Sequence, residues 1–251
     1  MIKLEKVNSE QHQEIKVLTE GVLTNNAKLH MSHIMPQEFE QASQYYPLFL
    51  CKDSDSGRFQ PMALFGLAAD ENIYQTSGLW EKCYLPLKLQ SQPFYLIADP
   101  EQEDNNEVDK PCLAIDINDI RVQANQGESL FSEGKATAYL KQQANVLAEL
   151  SKGFMQNSDF IALLSEHDLI EPVALDIKYN NGQEYKLDGL YSINKEMLEK
   201  VPTDIRKEFE QRGYVTLMIA MLSSINHVGT LIDIKNEFNA QQQSSHTKRI
   251  N

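Results

Sequence analysis

The chain has 251 residues, 41% of them apolar, and a formal net charge of −13. A polypeptide of this length buries about three quarters of the surface that its unfolded form exposes, so it holds a substantial core without staples. Its 23 Lys and Arg residues are scattered among 36 Asp and Glu, a balance that repels phosphate backbones and anionic lipid and so argues against a nucleic-acid role and against membrane docking, while leaving a basic partner open.

Cys51, Cys83 and Cys112 lie far apart without CxxC spacing. They read as three reduced thiols, neither a disulfide framework nor a zinc site. The opening Met1-Ile2-Lys3-Leu4-Glu5-Lys6-Val7-Asn8 lacks the apolar core of a signal peptide, which makes the cytoplasm the expected location.

In chain order, the first half reads as sheet. Short apolar or alternating runs occupy residues 28–34, 48–52, 61–67, 84–89, 94–98 and 112–115. Asp53-Ser54-Asp55-Ser56-Gly57, between the second and third runs, predicts a hairpin. Residues 37–46 place Phe39, Ala42 and Tyr45 or Tyr46 on one side of a short helix that Pro47 stops. Residues 100–111 are acidic and carry no aromatic side chain, which predicts a solvated loop.

Beyond Gly134 the period changes. Tyr139, Val146, Leu150 and Phe154 recur at helical spacing opposite Lys141, Gln142, Asn145, Glu149 and Lys152, the pattern of an amphipathic helix. Ser158 is placed to cap a second helix that carries Phe160, Ile161, Leu163 and Leu164 and ends near His167. Next, Val173, Leu175, Ile177 and Tyr179 alternate with polar residues, Asn180-Asn181-Gly182 turns, and Tyr185 and Leu187 alternate again. Asn-Gly predicts a type I′ hairpin. Asn194 caps a short helix through Glu199, Pro202 starts another toward Gln211, and Gly213 separates it from an apolar stretch over residues 214–232.

That stretch is nearly long enough to span a bilayer, but it contains Thr216, Ser223, Ser224, Thr230 and the adjacent pair Asn226-His227. Such a pair is costly in hydrocarbon, so no membrane insertion is expected and the stretch reads as a helix of a water-soluble protein, in its own core or at a homodimer interface. From Asn239 the Gln- and Ser-rich sequence can bury nothing and predicts a disordered tail. The whole reads as α+β: a mixed or antiparallel, β-rich N-terminal half and a mainly helical C-terminal half with a hairpin at about residues 172–193. One domain, residues 1–238, has lobes at 1–127 and 128–238, and the tail covers 239–251.

No familiar catalytic pattern survives inspection. His30 and His33 fall on opposite faces of a strand and have no accompanying HExxH. The Asp53 loop has Arg58 and Leu64 where a calcium loop needs Gly and Glu. Ser132-Glu133-Gly134-Lys135 and Ser192-Ile193-Asn194-Lys195 both spell SxxK, which requires one helical turn and companion motifs that are missing here. There is no nucleophile elbow, phosphate loop or dinucleotide fingerprint, so no catalytic residue, metal or cofactor is assigned. The densest cluster of unusual residues is 66–94, where Trp and Tyr combine apolar bodies with polar handles and glycines permit close approach. Asn72, Tyr74, Trp80, Tyr84 and Phe94 are therefore the candidate ligand-binding residues; the competing reading is a core corner plugged by Trp80.

The same cluster carries a resemblance. Leu64-Phe65-Gly66-Leu67, Asn72-Ile73-Tyr74, Gly78-Leu79-Trp80-Glu81-Lys82-Cys83-Tyr84-Leu85-Pro86 and Gln92-Pro93-Phe94 resemble the Gly, Asn, GxWxxxYxP and PF series of the SapC family. Asp116 with Asn118-Asp119, Gly127-Glu128-Ser129-Leu130-Phe131, residues 160–170 and Leu187-Asp188-Gly189-Leu190-Tyr191-Ser192-Ile193-Asn194 are similar to its later steps. The match runs in order from Asn8 and His12 to about Asn236. Gln90-Ser91-Gln92 stands where members often carry arginines, so an anion-binding role is not carried over.

The resemblance implies a component associated with S-layer protein export, with relatives often encoded beside flavin-dependent tryptophan halogenases and TonB-dependent receptors; it supplies no catalytic residue. The expected function is a cytoplasmic accessory or binding protein of a cell-envelope, export or uptake system, with a protein or a small ligand as partner. The alternative is an enzyme with its pocket in residues 66–94, Trp80 and Tyr84 touching substrate and His33 or His12 carrying a proton. A third reading is an assembly protein that dimerises through residues 214–232.

Overall fold

A computed structural model of the chain describes residues 2–19, 27–98 and 111–250. Its strands are β1 (Leu4–Lys6), β2 (Lys16–Val17), β3 (Met31–His33), β4 (Leu48–Lys52), β5 (Phe59–Leu64), β6 (Phe94–Ile97), β7 (Cys112–Asp116), β8 (Val122–Gln123), β9 (Glu128–Ser129), β10 (Phe131–Ser132), β11 (Lys135–Ala136), β12 (Ile170–Lys178) and β13 (Glu184–Ile193). Its α-helices are α1 (Phe39–Ala42), α2 (Ile73–Thr76), α3 (Leu87–Gln90), α4 (Ala138–Glu166), α5 (Lys195–Lys200), α6 (Thr203–Gln211), α7 (Tyr214–Ser224) and α8 (His227–Ile250). The described sheets are antiparallel, and the fold is α+β.

Packing groups the chain into two units, one of Met1–Val22 with Leu87–Lys152 and one of Leu23–Pro86 with Gly153–Asn251. This grouping differs from the expected lobes at 1–127 and 128–238, and strand pairing is the reason. In the first unit β7 lies between β1 and β6, and β2 lies between β8 and β9. In the second, the order β12-β13-β4-β5-β3 joins the late hairpin to early strands through Leu190 opposite Cys51 and Tyr191 opposite Leu50. β4 buries Leu48, Phe49 and Leu50 consecutively, because both its faces are covered, which is why it reads as a continuous apolar run rather than an alternation.

The hairpin after Lys52 forms as predicted: Asp53 N–H donates to Arg58 O at 2.9 Å, and Asp53 Oδ1 accepts from Ser56 N and Oγ at 2.8 and 2.7 Å. The second hairpin also forms, with a different turn. Tyr179 and Gln183 flank a three-residue loop in which Gly182 N–H donates to Tyr179 O at 3.0 Å and only Gly182 has a positive φ, 83°. A type I′ turn needs two positive φ values; a type I turn closed by a left-handed glycine needs one. Pro172 is accommodated because β12 is an edge strand.

Three expected element boundaries move. Residues 84–89 are not a strand; α3 begins right after Pro86, whose fixed φ suits a helix entrance. The two helices expected around Ser158 are one, α4, of 29 residues. Gly153 is retained inside it because a Cβ there would come within 2.5 Å of the Met35 side chain, and one turn later Asn157 Nδ2 donates to Ile34 O at 2.8 Å. The end of the chain, expected to be unstructured from Asn239, is helical to Ile250. The expected acidic loop at residues 100–111 lies outside the described residues apart from Pro111.

Asn194 caps α5 as predicted, its Oδ1 accepting from Met197 N at 3.0 Å. Asn194→Ala is expected to cost about 1 kcal/mol. Urea unfolding of the two forms checks it, and equal midpoints would show that the cap carries no stability.

Candidate functional site

Four of the five candidate residues enter the second unit's aromatic core. Asn72 caps α2, its Oδ1 accepting from Gln75 N at 3.0 Å. Tyr74, carried on α2, stacks edge-on to Tyr46 at 5.1 Å and donates its hydroxyl to Tyr45 O at 2.6 Å. Phe65 links Tyr46 and Trp80, with 4.9 Å between centroids on each side. Trp80 lies in a 3₁₀ turn, Trp80–Lys82, and is 2% exposed. Phe94 belongs to the first unit, where it opens β6 and packs against Tyr139 at 6.0 Å.

Tyr84 joins a polar network that the sequence did not single out. Its hydroxyl donates to Glu38 Oε1 at 2.9 Å, while Glu38 Oε2 accepts the Met35 N–H at 2.7 Å and the Tyr46 hydroxyl donates to Tyr84 O at 2.7 Å. Glu38 is 2% exposed. Burial pushes all three phenols, Tyr46, Tyr74 and Tyr84, well above their ordinary value, helped by neighbouring Cys83 at the first two and by the Glu38 carboxylate at the third. Proton transfer is efficient when the group titrates near working pH. Phenols held this far above neutrality act as fixed hydrogen-bond donors, and the network positions backbone.

The histidines considered as proton carriers are separated by the division of the chain. His33 belongs to the second unit and meets Phe154 edge-on at 5.7 Å. His12 is buried in the first, with Nδ1 3.2 Å from both Asn8 N and Asn8 O and Nε2 3.6 Å from Glu5 Oε2. The SxxK pairs also lack the required geometry: Ser132 and Lys135 are cross-strand partners in the β10–β11 hairpin, and Ser192 is on β13 with Lys195 opening α5. Among the described residues no three His, Cys, Asp or Glu side chains are placed to hold a metal ion.

In the first unit Asp119 receives Arg121 Nε and Nη2 at 2.8 and 2.6 Å, Arg121 Nη1 donates to Gln92 O at 3.2 Å, and Asp116 Oδ1 accepts from Lys3 N and Asn118 N. Burial raises the Asp119 carboxyl and the Arg121 bonds lower it; the net direction is down. A depressed folded value means stabilisation that is present above the unfolded value and lost as pH falls through the folded one. The stability difference between the native chain and Asp119→Asn is therefore expected to narrow below the ordinary 3.8. Urea unfolding across acidic pH checks this, and a constant difference would refute it.

The second unit has a groove of about 340 Å³ between α5, α6 and α7. Leu198 and Phe209 form two walls, and Val215, Met218, Ile219 and Leu222 form the third. The last four recur at i, i+3, i+4 and i+7, one helical face. Of these four, Met218 is buried and Val215 and Leu222 are half-buried. Tyr214, Met221 and Ser224 are buried, with Ser224 Oγ accepting the Leu48 N–H at 2.9 Å, whereas Ile219 is 60% exposed. Glu199, Arg206 and Glu210 also line the groove. Arg206 Nη2 is turned to the α5 carbonyls of Leu198 and Glu199, at 3.4 and 3.2 Å.

Three other concavities involve Gly57–Gln60 with α4, the ends of β12 and β13, and Pro36 with Arg212 and Tyr214. Neither these nor the groove is lined by Asn72, Tyr74, Trp80, Tyr84 or Phe94. The groove was missed in the sequence because residues 214–232 gave no ranking of interior against interface. The usable signal was the spacing 215, 218, 219 and 222 beside a second apolar set on the same helix.

No curated protein and no solved structure matches the chain. The family model described as SapC matches residues 7–231, spanning the GxWxxxYxP segment, the late hairpin and all of α5 to α7. The chain belongs to the SapC family.

Proposed function

We propose that this chain is a cytoplasmic accessory protein that binds a protein component of a cell-envelope, S-layer export or uptake system. The observation that carries the reading is the α5–α6–α7 groove: apolar side chains of three helices meet there, and Ile219 stands in solvent at its wall. A helix that is apolar all round is ordinarily enclosed, and an open apolar patch with a polar rim marks an interaction surface. The alternative, an enzyme pocket in residues 66–94, gains no support from side chains buried as deeply as Asn72, Tyr74 and Trp80.

The test is photo-crosslinking in the cells that make the protein, with the full chain carrying a benzophenone amino acid at position 219, 120 or 155, all exposed apolar sites. The expected result is covalent capture of an export, uptake or envelope component. Failure to capture any such component from all three positions would overturn the reading.

A further inference from the structure

We propose that the α5–α6–α7 groove receives a cationic amphipathic helix of the partner protein. This deepens the accessory-protein reading and rests on it. Four observations select this occupant. The groove is built from the faces of three helices: along the i, i+3, i+4, i+7 row of α7, Met218 is buried at the floor, Val215 and Leu222 are half-buried and Ile219 is exposed, a surface that another helix packs against. Its volume, about 340 Å³, suits a few anchoring side chains and leaves the rest of a ligand helix outside, along the rim.

The rim selects charge. Glu199 and Glu210 are exposed, and the one cation among the lining residues, Arg206, spends its Nη2 on carbonyls of α5. The lining thus sets two carboxylates against one guanidinium on a chain of net charge −13, a field that favours Lys and Arg beside the apolar anchors. The same field argues against a second copy, since a two-fold interface brings each patch against its own equivalent and sets Glu199 and Glu210 near like charges.

Tyr214–Gln242 is long and apolar enough by composition to cross a membrane, and only 28% of its most apolar window is buried, so something must be distinguished from lipid. The helix is interrupted at Ile225-Asn226 between α7 and α8, and Lys235 is the segment's one Lys or Arg, held by Glu71. Interfacial lipid-binding helices carry a basic face toward acidic headgroups. This one has an acidic rim, which favours a basic protein helix over a bilayer.

The test uses the full chain and two synthetic peptides of about 18 residues, long enough for helix formation, with Leu at i, i+3, i+4 and i+7 and either Lys or Glu elsewhere. Binding is read by fluorescence anisotropy at about 0.15 M salt, where long-range attraction is largely screened. The Lys peptide is expected to bind at least about tenfold more tightly than the Glu peptide, and Ile219→Glu to weaken it by a further factor of about ten. Ile219→Glu adds negative charge, so mere charge attraction predicts the opposite change and the two are separable. Ile120→Glu, at an exposed site of the first unit, is the charge-matched control and is expected to leave affinity unchanged. The double variant Glu199→Lys with Glu210→Lys is expected to erase the preference for Lys over Glu while circular dichroism shows an unchanged fold.

Equal binding of both peptides, or binding that Ile219→Glu does not weaken, overturns the proposal. So does sedimentation with phosphatidylglycerol vesicles that Ile219→Glu abolishes, which would make the face a lipid surface. A dimer in solution that Ile219→Glu splits would make it a self-interface and likewise overturn it. Capture of an envelope component from position 120 or 155 but not from 219 would leave the accessory role standing and remove the groove from it; capture from none would remove the accessory role itself.

Discussion

Phe65→Ala will lower stability by about 3–5 kcal/mol, the range for emptying a buried phenylalanine site. Phe65 has no exposed surface, and its ring is the link between Tyr46 and Trp80, 4.9 Å from each. Its backbone bonds survive the change: the N–H donates to His30 O at 2.7 Å and the carbonyl accepts from Ile73 N at 3.0 Å. The loss therefore isolates the ring's packing, to which each edge-on or tilted aromatic pair adds about 0.5–1.5 kcal/mol beyond burial. Trp80 is the single tryptophan, so its fluorescence reports this cluster during urea unfolding. Phe65→Leu, which keeps most of the volume, is expected to cost less than about half as much. A loss under about 1 kcal/mol for Phe65→Ala would show that the site collapses and that the cluster is not tightly packed.

Glu38→Ala will cost about 3 kcal/mol, because it leaves the buried Met35 N–H and the half-buried Tyr84 hydroxyl without their acceptor, at about 1–3 kcal/mol for a buried group. The bonds are 2.7 and 2.9 Å long, and Glu38 is 2% exposed. Tyr84→Phe takes one donor from the buried Glu38 carboxylate but keeps the Met35 bond, and is expected to cost about 1.5–3 kcal/mol, the range for a hydrogen bond to a charged group. In the double variant the two losses will not add, since the Tyr84 hydroxyl can be orphaned only if it is present. Thermal unfolding reads this as a drop of about 2–4 °C per kcal/mol for a chain of this size. Strict additivity would mean that Glu38 and Tyr84 act independently and that the network drawn here does not exist.

Much of the architecture was legible because it is local. The Asp53 to Gly57 turn, the Asn194 cap and the alternation of Val173 to Leu187 each depend on residues a few positions apart, and each forms. The SapC signature was readable for the same reason: Gly78, Trp80, Tyr84 and Pro86 keep their spacing whatever surrounds them. The turn of the late hairpin was misjudged on conformation alone, because Asn-Gly suits both a type I′ turn and the loop that Gly182 closes.

What the residues by themselves determined is composition-level and short-range: an acidic α+β chain with its helices late, its caps and its turns, and a family pattern running nearly end to end. Tertiary structure alone decided which apolar faces are covered. Glu38 is an unremarkable acid after Pro36 until Tyr84, 46 positions later, donates to it. Asn72 and Trp80 suggest a pocket until Tyr46 and Phe65 fill the space beside them, and α7 suggests a core helix until Ile219 is left facing solvent. Burial is a property of contacts between distant segments, and periodicity shows only that a face is apolar, not what lies against it.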